Sequence, residues 1–265
     1  MKPDKPKNSK FTKLPERTKK PPSYEGLPED MRLNRYIAQS GICSRRKAVD
    51  LIKAKQVSVN DKIVEEPGYV VLPDDEVKYQ GKVVKPESRK VYILLNKPKA
   101  VITSLSDEKG RKTVMDIVGA TIKERIFPVG RLDRNTTGLL LLTNDGDLTQ
   151  KLSHPSYMVK KFYHVTLDRP LLEQDMEQVK KGIQLDDGFV KVEGLDYVEN
   201  SPQNEIGIEI HIGKNRIVRR IFEYLGYTVE RLDRTYYAGL TKKDLSRGHY
   251  RFLTEREVLM LKHFT

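Results

Sequence analysis

The sequence predicts an α+β fold in two modules, a small basic one followed by a larger one built on a mixed, largely antiparallel sheet. Three observations carry this. Two apolar runs, Val91 to Leu95 and Leu139 to Leu142, have the length and bounds of buried strands. Later strand-like segments (Phe162 to Leu167, Gly188 to Val198, Glu205 to Ile212) mix with helical ones near Leu171 to Lys181, Arg216 to Leu225 and Glu255 to His263, without the strict alternation of a parallel α/β sheet. Ahead of them, Arg32 to Val64 has a pattern of its own, rich in cations.

Residues 1–29 are rich in Lys, Pro and Ser and nearly devoid of apolar side chains, so they read as a disordered basic arm. From Arg32, Leu33, Ile37 and Ala38 share a helical face, Gly41 offers a stop, and Ser44 caps a second helix carrying Ala48, Leu51 and Ile52. Arg45, Arg46, Lys47, Lys53 and Lys55 load that second helix and its end with positive charge. Val57 to Val59 and Ile63-Val64 flank an Asn60-Asp61 turn as a hairpin, and Tyr69 to Leu72 with Val77 to Tyr79 reads as a further strand pair. A Lys/Pro/Glu-rich linker near Pro86 closes the small module at about residue 88, and the second module occupies 89–265. There the strand at Val91 to Leu95 runs into Asn96-Lys97-Pro98, where proline ends the ladder.

Composition narrows the chemistry. Lys+Arg 49 against Asp+Glu 37 leaves a formal charge of +12, which points to a polyanion, nucleic acid first. One cysteine, Cys43, rules out an internal disulfide or a CxxC zinc site and suits a reducing cytoplasm. No stretch approaches the roughly 18 apolar residues of a membrane span, so the expectation is a soluble, cytoplasmic protein. The five histidines lack paired-ligand spacing, and no GxxxxGK[ST], GxGxxG or GxSxG is present, which sets aside metal, nucleotide, dinucleotide and serine-nucleophile chemistry.

What remains is a carboxylate. In Gly130 to Leu148, GRLDRNTTGLLLLTNDGDL, Asp133 stands between Arg131 and Arg134 just ahead of the leucine run. Opposite charge on both sides holds such an acid in its ionised form, as a nucleophile or base requires. Spacing alone also allows a structural salt bridge that ties down a loop. Asp145 and Asp147 read as a turn and as the N-cap of a short helix. Glycosidic hydrolysis would want a second acid across the bond, and none stands out.

Arg32 to Val64, RLNRYIAQSGICSRRKAVDLIKAKQVSVNDKIV, resembles an S4-type RNA-binding domain. The remainder is similar to the RsuA/RluB family of ribosomal RNA pseudouridine synthases, through GRLDRNTTGLLLLTNDG together with Leu95 to Pro98, Phe127 to Gly130, His154-Pro155, Lys161 to Val165 and Gly213 to Arg220. The resemblance implies a pseudouridine synthase fold and isomerisation of a uridine in ribosomal RNA, more of the large subunit than the small, with no cofactor and no metal. It makes Asp133 the catalytic acid, Tyr163 the aromatic that meets the base, Arg219 its basic partner and Leu232 the apolar floor. RNA contacts fall to Arg32, Arg45, Arg46 and Lys47 in the small module and to Arg131, Arg134, Lys161, Arg216 and Arg220 in the large one. Ile217 stands where the family often has glutamine. On residue type alone Tyr163 is a half-buried strand aromatic, Arg219 and Arg220 are phosphate contacts or solvated cations, and Tyr236 and Tyr237 are core or stacking residues. The expected partner is ribosomal RNA or a pre-ribosomal particle, bound by a monomer. A pure ribosome-assembly factor is the competing reading, since it would share the basic module and need no acid.

Overall fold

The computed structural model describes residues 30–119 and 122–263, so the basic arm expected over 1–29 lies outside them. The described chain falls into two units, 30–36 with 45–84, and 37–44 with 85–263. The first helix, α1 (Leu33–Gln39), buries Leu33 and Tyr36, and α2 (Arg45–Lys53) buries Ala48 and Ile52. Four short strands complete the small unit: β1 (Val57–Val59), β2 (Lys62–Ile63), β3 (Val77–Tyr79) and β4 (Lys82–Val83), all antiparallel in the order β2-β1-β3-β4. Asn60 and Asp61 both adopt positive φ (50° and 63°), the geometry a two-residue hairpin turn demands and these residue types tolerate. The pair expected over Tyr69 to Leu72 and Val77 to Tyr79 does not form. Val70 makes a single bridge to Arg32, and the Leu72 amide donates to the Asp75 carboxylate at 2.8 Å, which bends the chain before a ladder can extend.

In the large unit the elements are β5 (Tyr92–Lys97), α3 (Met115–Val118), β6 (Phe127–Pro128), β7 (Thr137–Thr143), α4 (Gly146–Ser153), β8 (Lys161–Leu167), α5 (Glu173–Lys181), β9 (Ile183–Leu185), β10 (Gly188–Val190), β11 (Gly194–Tyr197), β12 (Glu205–Ile210), α6 (Ile217–Tyr224), β13 (Val229–Tyr237), β14 (Leu240–Thr241), β15 (Tyr250–Phe252) and α7 (Glu255–Lys262). Nine strands form one sheet, ordered β11-β12-β8-β13-β7-β5-β15, with β14 on β13 and β6 on β7. Every pairing in it is antiparallel except β7 with β13. The leucine run explains itself here: Leu140 and Leu142 join one apolar cluster and Leu139 and Leu141 another, so β7 is buried on both faces.

Two expected boundaries move. Gly188 to Val198 is two strands, β10 pairing only with β9 as a separate ribbon while β11 joins the main sheet. Asp145, not Asp147, caps α4, accepting from the amides of Asp147 and Leu148 at 3.2 and 3.0 Å, and the Tyr92 hydroxyl donates to its other oxygen at 2.8 Å.

The parallel β7–β13 ladder has only two rungs, Thr137 with Asp233 and Gly138 with Arg234. A Cβ on Gly138 would lie 2.2 Å from the Arg234 carbonyl oxygen, at a φ of +105°, so glycine alone permits this approach. Where the ladder stops, the Arg234 side chain takes over and donates from Nε to the Leu139 carbonyl at 2.7 Å.

Candidate active site

Beside that short ladder lies a cavity of about 670 Å³, large enough for a nucleotide. Its lining includes one acid, Asp133, against five cations, Arg131, Lys161, Lys214, Arg216 and Arg234. Asp133 sits on the loop between β6 and β7 and is clamped from both sides. Before it, the Thr103 hydroxyl donates to the Leu132 carbonyl at 2.8 Å and accepts from the Leu132 amide at 3.3 Å. After it, the buried ammonium of Lys97 donates to the Arg134 carbonyl at 3.3 Å and to that of Pro98 at 3.1 Å.

The cation nearest the carboxylate is not one of its chain neighbours. Arg216 Nη1 stands 3.9 Å from Asp133 Oδ2, while its Nη2 donates to Glu223 at 2.9 Å. Arg134 turns its Nε toward the Ala100 carbonyl at 3.5 Å, and Arg131 is exposed with no ion pair among the described residues. Lys97 and Arg219 act on Asp133 through space. Arg219 itself is buried, donating from Nη1 to the Val229 carbonyl at 2.6 Å. Burial, then the Arg216 charge, pulls its pKa down, and Asp133 pulls the other way.

The four letters RLDR occur twice, at 131–134 and 231–234, and the structure separates them. Asp233 accepts from the Thr137 hydroxyl at 2.7 Å and from Arg247 at 2.7 Å, and pairs with Lys242. That acid is occupied in holding β7 to β13. Asp133 faces an open cavity, which is what chemistry needs.

Residues 91–224 match the family described as RNA pseudouridylate synthase, and residues 31–77 match the S4 domain. The chain belongs to the RNA pseudouridylate synthase family. It is 42% identical over 234 residues to ribosomal large subunit pseudouridine synthase B of Bacillus subtilis (strain 168), covering 87% of this chain and 95% of that protein. Against the dual-specificity RNA pseudouridine synthase RluF of Escherichia coli (strain K12) the identity is 34%, over 89% of this chain and 80% of the relative. A crystal structure of a pseudouridylate synthase superposes with a TM-score of 0.63 at 27% identity, covering 87% of this chain and 99% of that one.

In this pseudouridine synthase the cavity gathers Asp133, Tyr163, Leu232, Arg131, Lys161 and Arg216. Tyr163, on β8, is the cross-strand neighbour of Arg234, and Leu232 lies on β13 opposite Val165. Arg219, Arg220 and Arg134 are not in the lining. Arg220 is held by Asp187 through two bonds of 2.7 and 3.0 Å. Arg32, Arg45, Arg46 and Lys47 are exposed in the small unit. Tyr237 is a buried residue that also borders the cavity, with the Arg234 guanidinium 4.4 Å from its ring, whereas Tyr236 packs edge-on to Phe162 at 5.1 Å.

Sequence reasoning passed over Lys97 and Arg234, both almost fully buried. The signal for Lys97 was present: a lysine ending a strand whose other members are largely apolar. Burial holds the ammoniums of Lys97 and Lys161 at about 8, below the ordinary lysine value of 10.5. Between about pH 8 and 10 the unfolded chain therefore binds more protons than the folded one, and stability rises with pH. Below pH 8 both states hold these protons and the contribution is flat. Above 10 the trend reverses, because burial lifts the Tyr237 phenol to about 12. Urea unfolding across pH 7 to 10 should show the rise, and Lys97→Met with Lys161→Met should reduce it, the remainder coming from Lys242, which burial also holds at about 8.

Proposed function

We propose that this enzyme isomerises a uridine in large-subunit ribosomal RNA, with Asp133 engaging the nucleoside. The observation that carries the reading is a carboxylate clamped through the backbone on either side of it, facing a nucleotide-sized cavity as its one lining acid, with Arg216 as its ion-pair partner. The named ribosomal relative and the S4 match support ribosomal RNA as the polyanion implied by the +12 charge. A uridine leaves its stack to react, which costs a few kcal/mol. Stacking on Tyr163, worth roughly 1–3 kcal/mol, offsets this. Leu232 packs beneath the base, and Arg219 and Arg216 keep the field around Asp133 positive. The N1–C1′ bond breaks, the uracil turns, C5 bonds to C1′, and the C5 proton is lost as N1 gains one. Atoms and electrons balance without redox or hydrolysis, so the reaction needs no cofactor. The enzyme works as a cytoplasmic monomer on this reading.

Incubating the protein with large-subunit RNA and mapping pseudouridine chemically should reveal a new site. A map unchanged for RNA of both subunits would overturn the reading. Arg45, Arg46 and Lys47 grip phosphate in the same account, so neutralising each should lower the slope of log affinity against log salt by roughly 0.7–0.9. A slope unmoved by all three changes would remove them from the RNA contact.

A further inference from the structure

His154 and Pro155 line the cavity, and from them the chain makes a single 3-10 turn, Pro155–Tyr157, before Val159 sinks into the core. The turn is rigid. Proline at its first position presets φ, the Tyr157 amide donates to the His154 carbonyl at 3.2 Å, and the Met158 amide donates to the Pro155 carbonyl at 3.1 Å. The Ser156 hydroxyl lies 2.7 Å from His154 Nδ1, which also accepts from the Ser156 amide at 3.3 Å. On the far side Lys161, another cavity residue, donates to the Val159 carbonyl at 3.0 Å. Both ends of the turn are thus tied to the cavity wall.

What the turn displays is apolar. Tyr157 is 42% exposed and Met158 53% exposed. Met158 sits at a φ of +46°, a conformation that side-chain-bearing residues avoid unless the surroundings impose it, and one that recurs at functional sites. The Tyr157 ring stands edge-on to His154, with centroids 6.3 Å apart, and the Lys151 ammonium lies 6.0 Å from its centroid. Single exposed apolar residues are ordinary. Two consecutive ones, on a braced turn that starts from the cavity residues His154 and Pro155 and with the Tyr157 ring against that of His154, are placed for a ligand with flat faces and negative charge.

We propose that Tyr157 and Met158 form a stacking platform for the nucleobase next to the target uridine. The proposal rests on the uridine isomerisation inferred above. Flipping a nucleotide out exposes the face of its neighbour, and an aromatic ring or thioether can cover that face whatever the base. Lys151, whose ammonium donates to the Lys262 carbonyl at 2.7 Å and lies 6.0 Å from the ring centroid, adds a cation beside the ring.

The test uses the full-length protein and RNA with 2-aminopurine placed immediately 5′ or 3′ of the mapped uridine. Wild-type protein should quench the probe at one of the two positions, Tyr157→Ala should lose the quenching, and Tyr157→Phe should keep it. Affinity should fall about 5- to 150-fold in Tyr157→Ala with the salt slope unchanged, since no phosphate contact is lost. Unchanged affinity in a system where wild-type protein makes pseudouridine would overturn the platform alone, as would a loss of affinity accompanied by a smaller salt slope. Absence of product with wild-type protein would overturn the parent reading and the platform with it.

Discussion

Asp133→Asn should eliminate pseudouridine formation, by on the order of 10⁴-fold or more, while RNA affinity stays within about threefold of wild type. The clamp explains why the two effects separate. Lys97 and Thr103 hold the residues on either side of Asp133 through backbone atoms, so the amide occupies the carboxylate's place without moving the loop. The change removes the one negative charge from a lining that carries five cations, so phosphate binding has nothing to lose. Single-turnover assays with chemical mapping, run beside an equilibrium titration, read both quantities. Product from this variant at more than a trace would take the chemistry away from Asp133.

Gly138→Ala should cost about 3–5 kcal/mol of stability, the sum of a strained left-handed backbone and an overlap that cannot relax locally. The new methyl would meet the Arg234 backbone at 2.2 to 2.8 Å, and backbone in a central strand has no rotamer to change. Relief requires pushing β7 from β13, which breaks the two-rung ladder and loosens the Thr137–Asp233 hydrogen bond and the Arg234–Leu139 hydrogen bond. At roughly 2–4 °C per kcal/mol for a protein of this size, calorimetry should record a fall of about 10 °C. A melting temperature within a degree or two of wild type would mean that β7 and β13 are not held by this approach.

The elements that could be read from sequence were those whose cause is local. The leucine run and Val91 to Leu95 announce strands buried on both faces, and Asn60-Asp61 announces its turn. The motif around Asp133 pointed to an acid with a role, and family resemblance supplied Tyr163 and Leu232, which the cavity brings to it. What was illegible depends on partners far along the chain. Lys97 reaches Arg134 across 37 positions, and Asp233 meets Thr137 across 96, so neither the clamp nor the difference between the two RLDR segments exists in any local window. For the same reason the cation beside Asp133 is Arg216, brought by the loop before α6, and not the adjacent Arg131 or Arg134. Asp145 displaced Asp147 as the cap because two amides and a tyrosine hydroxyl converge on it.

Pseudouridine mapped across both ribosomal RNAs, in cells with the gene intact, deleted, and restored as wild type or Asp133→Asn, tests the central claim most directly. At least one large-subunit pseudouridine should vanish on deletion, return with the wild-type gene and stay absent with Asp133→Asn. A map identical in all four strains, with subunit assembly slowed by the deletion, would instead make the protein an assembly factor that binds RNA without changing it.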